Sequence, residues 1–89
     1  MLNGERQLRA ATERMMLARA FGERLRELRL AAGVPPSRLA RRCRLSPATV
    51  KSAERGHGQV NLWLIIALCD GLGVTPNELI GSLRSRERR

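Results

Sequence analysis

Apolar residues recur at three- and four-residue steps along nearly the whole chain, and no alternation of the strand type survives beyond a few residues. Leu8, Ala11, Met15 and Ala18 make residues 5–17 a modestly amphipathic helix. Gly22 weakens a helix without having to end it, and the pattern runs on through Leu25 and Leu28 to Ala32, where Gly33 supplies a C-terminal stop. Val34-Pro35-Pro36-Ser37 reads as a turn, and Pro36 suits the first position of a helix over 36–43 with Leu39, Ala40 and Cys43 inward. After Arg44-Leu45-Ser46, the Ser46 hydroxyl followed by Pro47 starts another helix, with Val50 and Ala53 inward and an end near Gly56. Residues 56–60 form a loop, and Asn61 caps a helix over 62–72 with Leu62, Ile65, Cys69 and Leu72 on one face. Gly73 closes it; Thr75 and Pro76 open a last helix through Leu79, Ile80 and Leu83. The pattern predicts an all-α chain: an N-terminal helical extension over 1–19, a five-helix domain over 20–83 and a basic, disordered tail over 84–89.

Composition narrows the function. Eighty-nine residues make one domain, and 43% apolar content supports a small core. Phe21 and Trp63 are the whole aromatic complement, which excludes a base-stacking platform of several rings. Lysine and arginine number 17 against 8 acids, a net charge of +9 that points to a polyanion, most simply nucleic acid. Cys43, Cys69 and the lone His57 are too few and too scattered for a four-ligand zinc site, and both cysteines fit a buried core. One histidine with a few hydroxyls forms no nucleophile–base pair, so neither an enzyme nor a cofactor is expected. Arg6, Arg9 and Arg14 interrupt any signal-peptide core, and the longest apolar run, Leu62 to Cys69, falls short of the ~20 residues of a membrane helix. A soluble, cytoplasmic, nucleoid-associated protein that does not engage membranes is the expectation.

The helices over 36–43 and 47–55, joined by a three-residue turn, form a helix-turn-helix. Ala40 is the small residue that lets the two cross closely. With Leu39, Cys43, Leu45, Val50 and Ala53 buried between them, the first helix exposes Ser37, Arg38, Arg41 and Arg42, and the second exposes Pro47, Ala48, Lys51, Ser52 and Arg55. Between 36 and 59 the chain holds six bases and one acid, Glu54.

The same region carries a wider signature. Phe21-Gly22-Glu23-Arg24-Leu25-Arg26-Glu27-Leu28-Arg29 opens it, followed by Gly33, Leu39-Ala40, Leu45-Ser46, Thr49-Val50, Glu54-Arg55-Gly56, Leu72-Gly73-Val74-Thr75-Pro76 and Glu78-Leu79. In this order and spacing the chain resembles the lambda-repressor/Cro-type (Xre family) helix-turn-helix DNA-binding proteins over residues 20–83. The resemblance implies a lambda-repressor-like fold and a transcriptional regulator that binds double-stranded DNA as a homodimer. It places the helix from Pro47 in the major groove and pairs Arg29 with Glu54 as an internal ion pair. Three positions depart from the family. Pro36 stands where a glutamine usually reaches a phosphate, Arg44 where the turn usually has glycine, and Pro47-Ala48 where amide side chains often read bases. Proline and alanine offer no donors to base edges, although Ala48 can touch a thymine methyl. Phosphate contacts are therefore expected to dominate affinity. The candidate DNA contacts are Ser37, Arg38, Arg42, Arg44, Ser46, Pro47, Ala48, Thr49, Lys51, Ser52 and Arg55.

The helix from Asn61 carries a second apolar stripe, Trp63, Leu64 and Ala67 with Val60, so it is expected to be covered on two sides. The cover is either the N-terminal helix, through Leu8, Met15 and Met16, or a second copy of the chain; Trp63, Leu64 and Ala67 are then the candidate dimer or partner interface. The alternative function is a protein-interaction module, an antitoxin or adaptor on the same fold with a protein partner.

Overall fold

In the computed structural model, which describes residues 2–84, the chain forms α1 (Leu2–Ala31), α2 (Pro36–Cys43), α3 (Pro47–Glu54), α4 (Leu62–Leu72) and α5 (Pro76–Ile80). Among the described residues there is no strand. The helix starts follow from side-chain caps. The Ser46 hydroxyl accepts from the Thr49 amide at 3.1 Å, Asn61 Oδ1 accepts from the Leu64 amide at 2.8 Å, and Thr75 and Glu78 form a reciprocal capping box. The stops are equally local. Gly33, Arg44, Gly56 and Gly73 take left-handed φ values of 68°, 58°, 79° and 70°. After each, the next amide returns to the carbonyl five residues back: Val34 to Arg29, Leu45 to Ala40, His57 to Ser52 and Val74 to Cys69.

Each helix contributes one large, wholly buried aliphatic residue to a common core: Leu25, Leu39, Val50, Leu68 and Leu79. Phe21, Ala40, Cys43, Ala53 and Leu72 fill the space around them. α1 packs on α3 and α5, and α2 packs on α3 and α4. The α1–α3 crossing is tight enough to require a missing side chain. A Cβ on Gly22 would stand 2.5 Å from the backbone oxygens of both Ala53 and Glu54. Arg24 adds a polar tie, its Nε donating to the Glu78 carbonyl at 2.8 Å.

Two expectations require correction. The face of α4 is rotated: Leu64, Leu68, Cys69 and Leu72 are buried, whereas Leu62 is 72% exposed and Ile65 only partly covered. Leu62 through Cys69 are all apolar, so their spacing carries no phase, and the Asn61 cap and the contacts with α2 set the rotation. Of the two covers expected for α4, the N-terminal helix is not folded over it. It is the first half of one continuous 30-residue helix. Leu8, Met15 and Met16, one of the two alternative covers for α4, are 71%, 64% and 42% exposed. Leu83 and Arg84 are helical, and the remainder of the expected basic tail, residues 85–89, lies outside the described residues.

Candidate nucleic-acid interface

α3 is held by its inner side and by its C-terminal end. Val50 and Ala53 are buried, while Pro47, Ala48, Thr49, Lys51 and Arg55 are exposed and Ser52 is half-buried. Positions 47, 48, 51, 52 and 55 repeat at helical spacing, so they share one stripe opposite the core. At its C-terminal end, Arg29 grips Glu54 with two parallel bonds, Nε to Oε2 at 2.5 Å and Nη2 to Oε1 at 3.0 Å. The third guanidinium nitrogen, Nη1, donates to the Val34 carbonyl at 3.1 Å. One arginine thus fixes the end of α1, the turn after it and the end of α3. The hydrogen bond from Glu54, against a smaller opposing effect of burial, raises the Arg29 pKa further above its already high value. The pair also engages the only acid between residues 36 and 59, where Arg38, Arg41, Arg42, Arg44, Lys51 and Arg55 are exposed cations.

α2 presents Ser37, Arg38, Arg41 and Arg42 to solvent. It begins with no side-chain cap, because Pro35 precedes Pro36. The Arg38 and Leu39 amides donate to the Pro35 carbonyl, which leaves the Ser37 amide at the positive end of the helix dipole, where it suits an anion. Arg42 is partly committed elsewhere, its Nη1 donating to the Gly71 carbonyl near the end of α4 at 3.4 Å. Arg44 is exposed in the left-handed turn between α2 and α3. Ser46 and Thr49 are exposed, but their hydroxyls are engaged with each other at 2.8 Å in the cap of α3.

The loop after α3 contributes what the sequence reading overlooked. Gly56 and Gly58, both left-handed, turn the chain back beside α3, so that His57 and Gln59 line a hollow of about 310 Å³ with Ala48, Thr49 and Ser52. The signal was present in the Gly-His-Gly order, which curls a loop back instead of extending it. Of the expected second interface, Trp63 is 60% exposed, but Leu64 is a core residue at 7% and Ala67 packs partly against the core. The exposed apolar face of α4 is instead Leu62, Trp63 and Ile66.

The helix-turn-helix domain family matches residues 20–79. Solved structures similar to the chain include the clp gene regulator ClgR from Corynebacterium glutamicum, 30% identical, covering 78% of this chain and 90% of that one with a TM-score of 0.73. A second ClgR structure is 29% identical with a TM-score of 0.76, covering 81% and 77% of the two chains. The restriction-modification controller protein C.AhdI from Aeromonas hydrophila is 40% identical, covering 70% and 94%, with a TM-score of 0.68. None of the curated proteins compared with the chain matches it.

Proposed function

We propose a mode of action for a chain that belongs to the helix-turn-helix domain family and is a DNA-binding transcriptional regulator: it docks α3 in the major groove and draws most of its affinity from phosphates. Residues 20–83 are the DNA-binding unit in this reading and residues 1–19 an extension of it. The carrying observation is the outer stripe of α3. It is exposed at Pro47, Ala48, Lys51 and Arg55, yet its first two residues have no side-chain donor or acceptor. Base reading then falls to Lys51, Ser52 and Arg55, while Arg38, Arg44, the Ser37 amide and, in part, Arg42 take phosphates. Ser46 and Thr49 act chiefly by capping α3. Two such heads in a homodimer, set about 34 Å apart, read two half-sites and recover specificity that one head lacks. The protein works in the cytoplasm, on the nucleoid.

A mobility-shift series on a random duplex pool tests this reading. Arg38→Ala and Arg44→Ala should weaken binding to most sequences alike, each lowering the salt slope by about 1. Unchanged affinity in both variants would contradict it. A second reading is favoured by one observation, the apolar face of α4, where Leu62, Trp63 and Ile66 are 72%, 60% and 48% exposed. A protein partner held there would make the chain an adaptor, and a tight partner combined with weak duplex binding would reverse the ranking.

A further inference from the structure

We propose that the projecting half of α1 is a self-association arm, and that it pairs antiparallel with the same arm of a second copy. The inference rests on the dimeric reading above and names the surface that reading lacks. α1 carries one seam at alternating four- and three-residue steps: Leu8, Ala11, Met15, Ala18, Gly22 and Leu25. Its two halves meet different surroundings. Gly22 and Leu25 are buried in the bundle, Ala11 and Ala18 are half-buried, and Leu8 and Met15 are 71% and 64% exposed. A seam with this period is built to meet a second helix along its whole length. Thirty residues of helix run about 45 Å, and the molecule's long dimension is 47 Å, so the arm extends along α1 past the bundle.

Beside the arm lies a groove of about 910 Å³. Ala11, Met15 and Phe21 form one wall, and Val60, Ile65 and Ile80 line the rest. A second copy suits it because the arm supplies both wall and filling. From Gly22 onward the bundle occupies the seam, so a parallel partner would bring two bundles into the same space; an antiparallel partner sets them at opposite ends. In antiparallel pairs, alternate seam positions face one another, which places Leu8 against the partner's Ala18 and Met15 against the partner's Ala11. Each layer then matches a large residue with a small one. The flanking charges agree, since Glu5 falls beside the partner's Arg19, twice by symmetry. Arg14 meets its own counterpart near the two-fold axis, the one unfavourable contact.

Sedimentation of the full chain tests the arm. The native chain should be a dimer, and Leu8→Glu with Met15→Glu should release monomers with unchanged helical content. Arg14→Gln should tighten the dimer. Under mild oxidation, a mixture of Ala11→Cys and Met15→Cys chains should give a covalent heterodimer, while Ala11→Cys alone gives none. Self-linking of Ala11→Cys, a dimer that survives the double glutamate change, or a dimer broken only by Trp63→Glu would each overturn the proposal. Duplex binding by the native chain, measured separately, judges the DNA reading whatever the arm does.

Discussion

Arg29 and Glu54 stand 25 residues apart in the chain and close on each other through two hydrogen bonds, with only 10% of either side chain exposed. This is the clamp that gives α3 a fixed orientation, and its worth shows when one half is removed. Arg29→Met leaves a carboxylate buried without its partner, at a cost of about 3 kcal/mol. Arg29→Met with Glu54→Met should recover much of that loss. Urea midpoints of the three proteins check this; a single-variant loss below about 1 kcal/mol would mean that solvent screens the pair.

Gly22 lies inside α1, where alanine would ordinarily add about 1 kcal/mol of helix stability. Here the added Cβ would meet two backbone oxygens at 2.5 Å, which no side-chain rotation relieves. Gly22→Ala is expected to destabilise by about 2 kcal/mol, the scale of an overpacked core. A gain in melting temperature would show that α1 and α3 do not approach this closely.

Arg44 separates stability from binding. Its φ of 58° costs a non-glycine residue about 1 kcal/mol, while its charge faces solvent next to the start of α3. Arg44→Gly should hold or raise the melting temperature, because relief of strain outweighs the added freedom of the unfolded chain, and should weaken duplex binding. Loss of both together would assign Arg44 a structural contact instead.

Burial pushes the thiols of Cys43 and Cys69 above the ordinary range. In the folded chain they resist ionisation that the unfolded chain permits. Their contribution to stability is therefore complete below the ordinary thiol pKa and is lost as pH rises through and above it. Urea midpoints should fall between neutral and alkaline pH, and Cys43→Ala with Cys69→Ala should flatten that fall. A thiol reagent at neutral pH should label neither residue until the protein unfolds.

Much of this was legible in the chain because the signals are local. Ser46-Pro47, Asn61, Thr75-Pro76, Gly33 and Gly73 each mark a helix boundary through one or two residues. α2 and α4 consequently run over the spans expected, and α3 ends at Glu54 instead of 55. What escaped depends on relations between distant parts. Gly22 reads as a weak point in a helix until α3 is laid across it. An unbroken apolar run gives α4 its existence but not its rotation, so Leu62 and Leu64 exchange the inside and outside expected of them. The arm of α1 has the right spacing to cover something, and spacing cannot say that the something is not α4. At the candidate interface, charge and exposure were readable from helical period alone, whereas the return of His57 and Gln59 toward α3 needed the two left-handed glycines in place.

In the proposed mode of action, a cationic helix pair binds duplex DNA chiefly through phosphates. Affinity measured across a salt series on one duplex tests it most directly. With five to seven phosphates neutralised, log K should fall against log salt with a slope of about −5 to −6. A slope near zero, or no measurable affinity for any duplex at low salt, would contradict it.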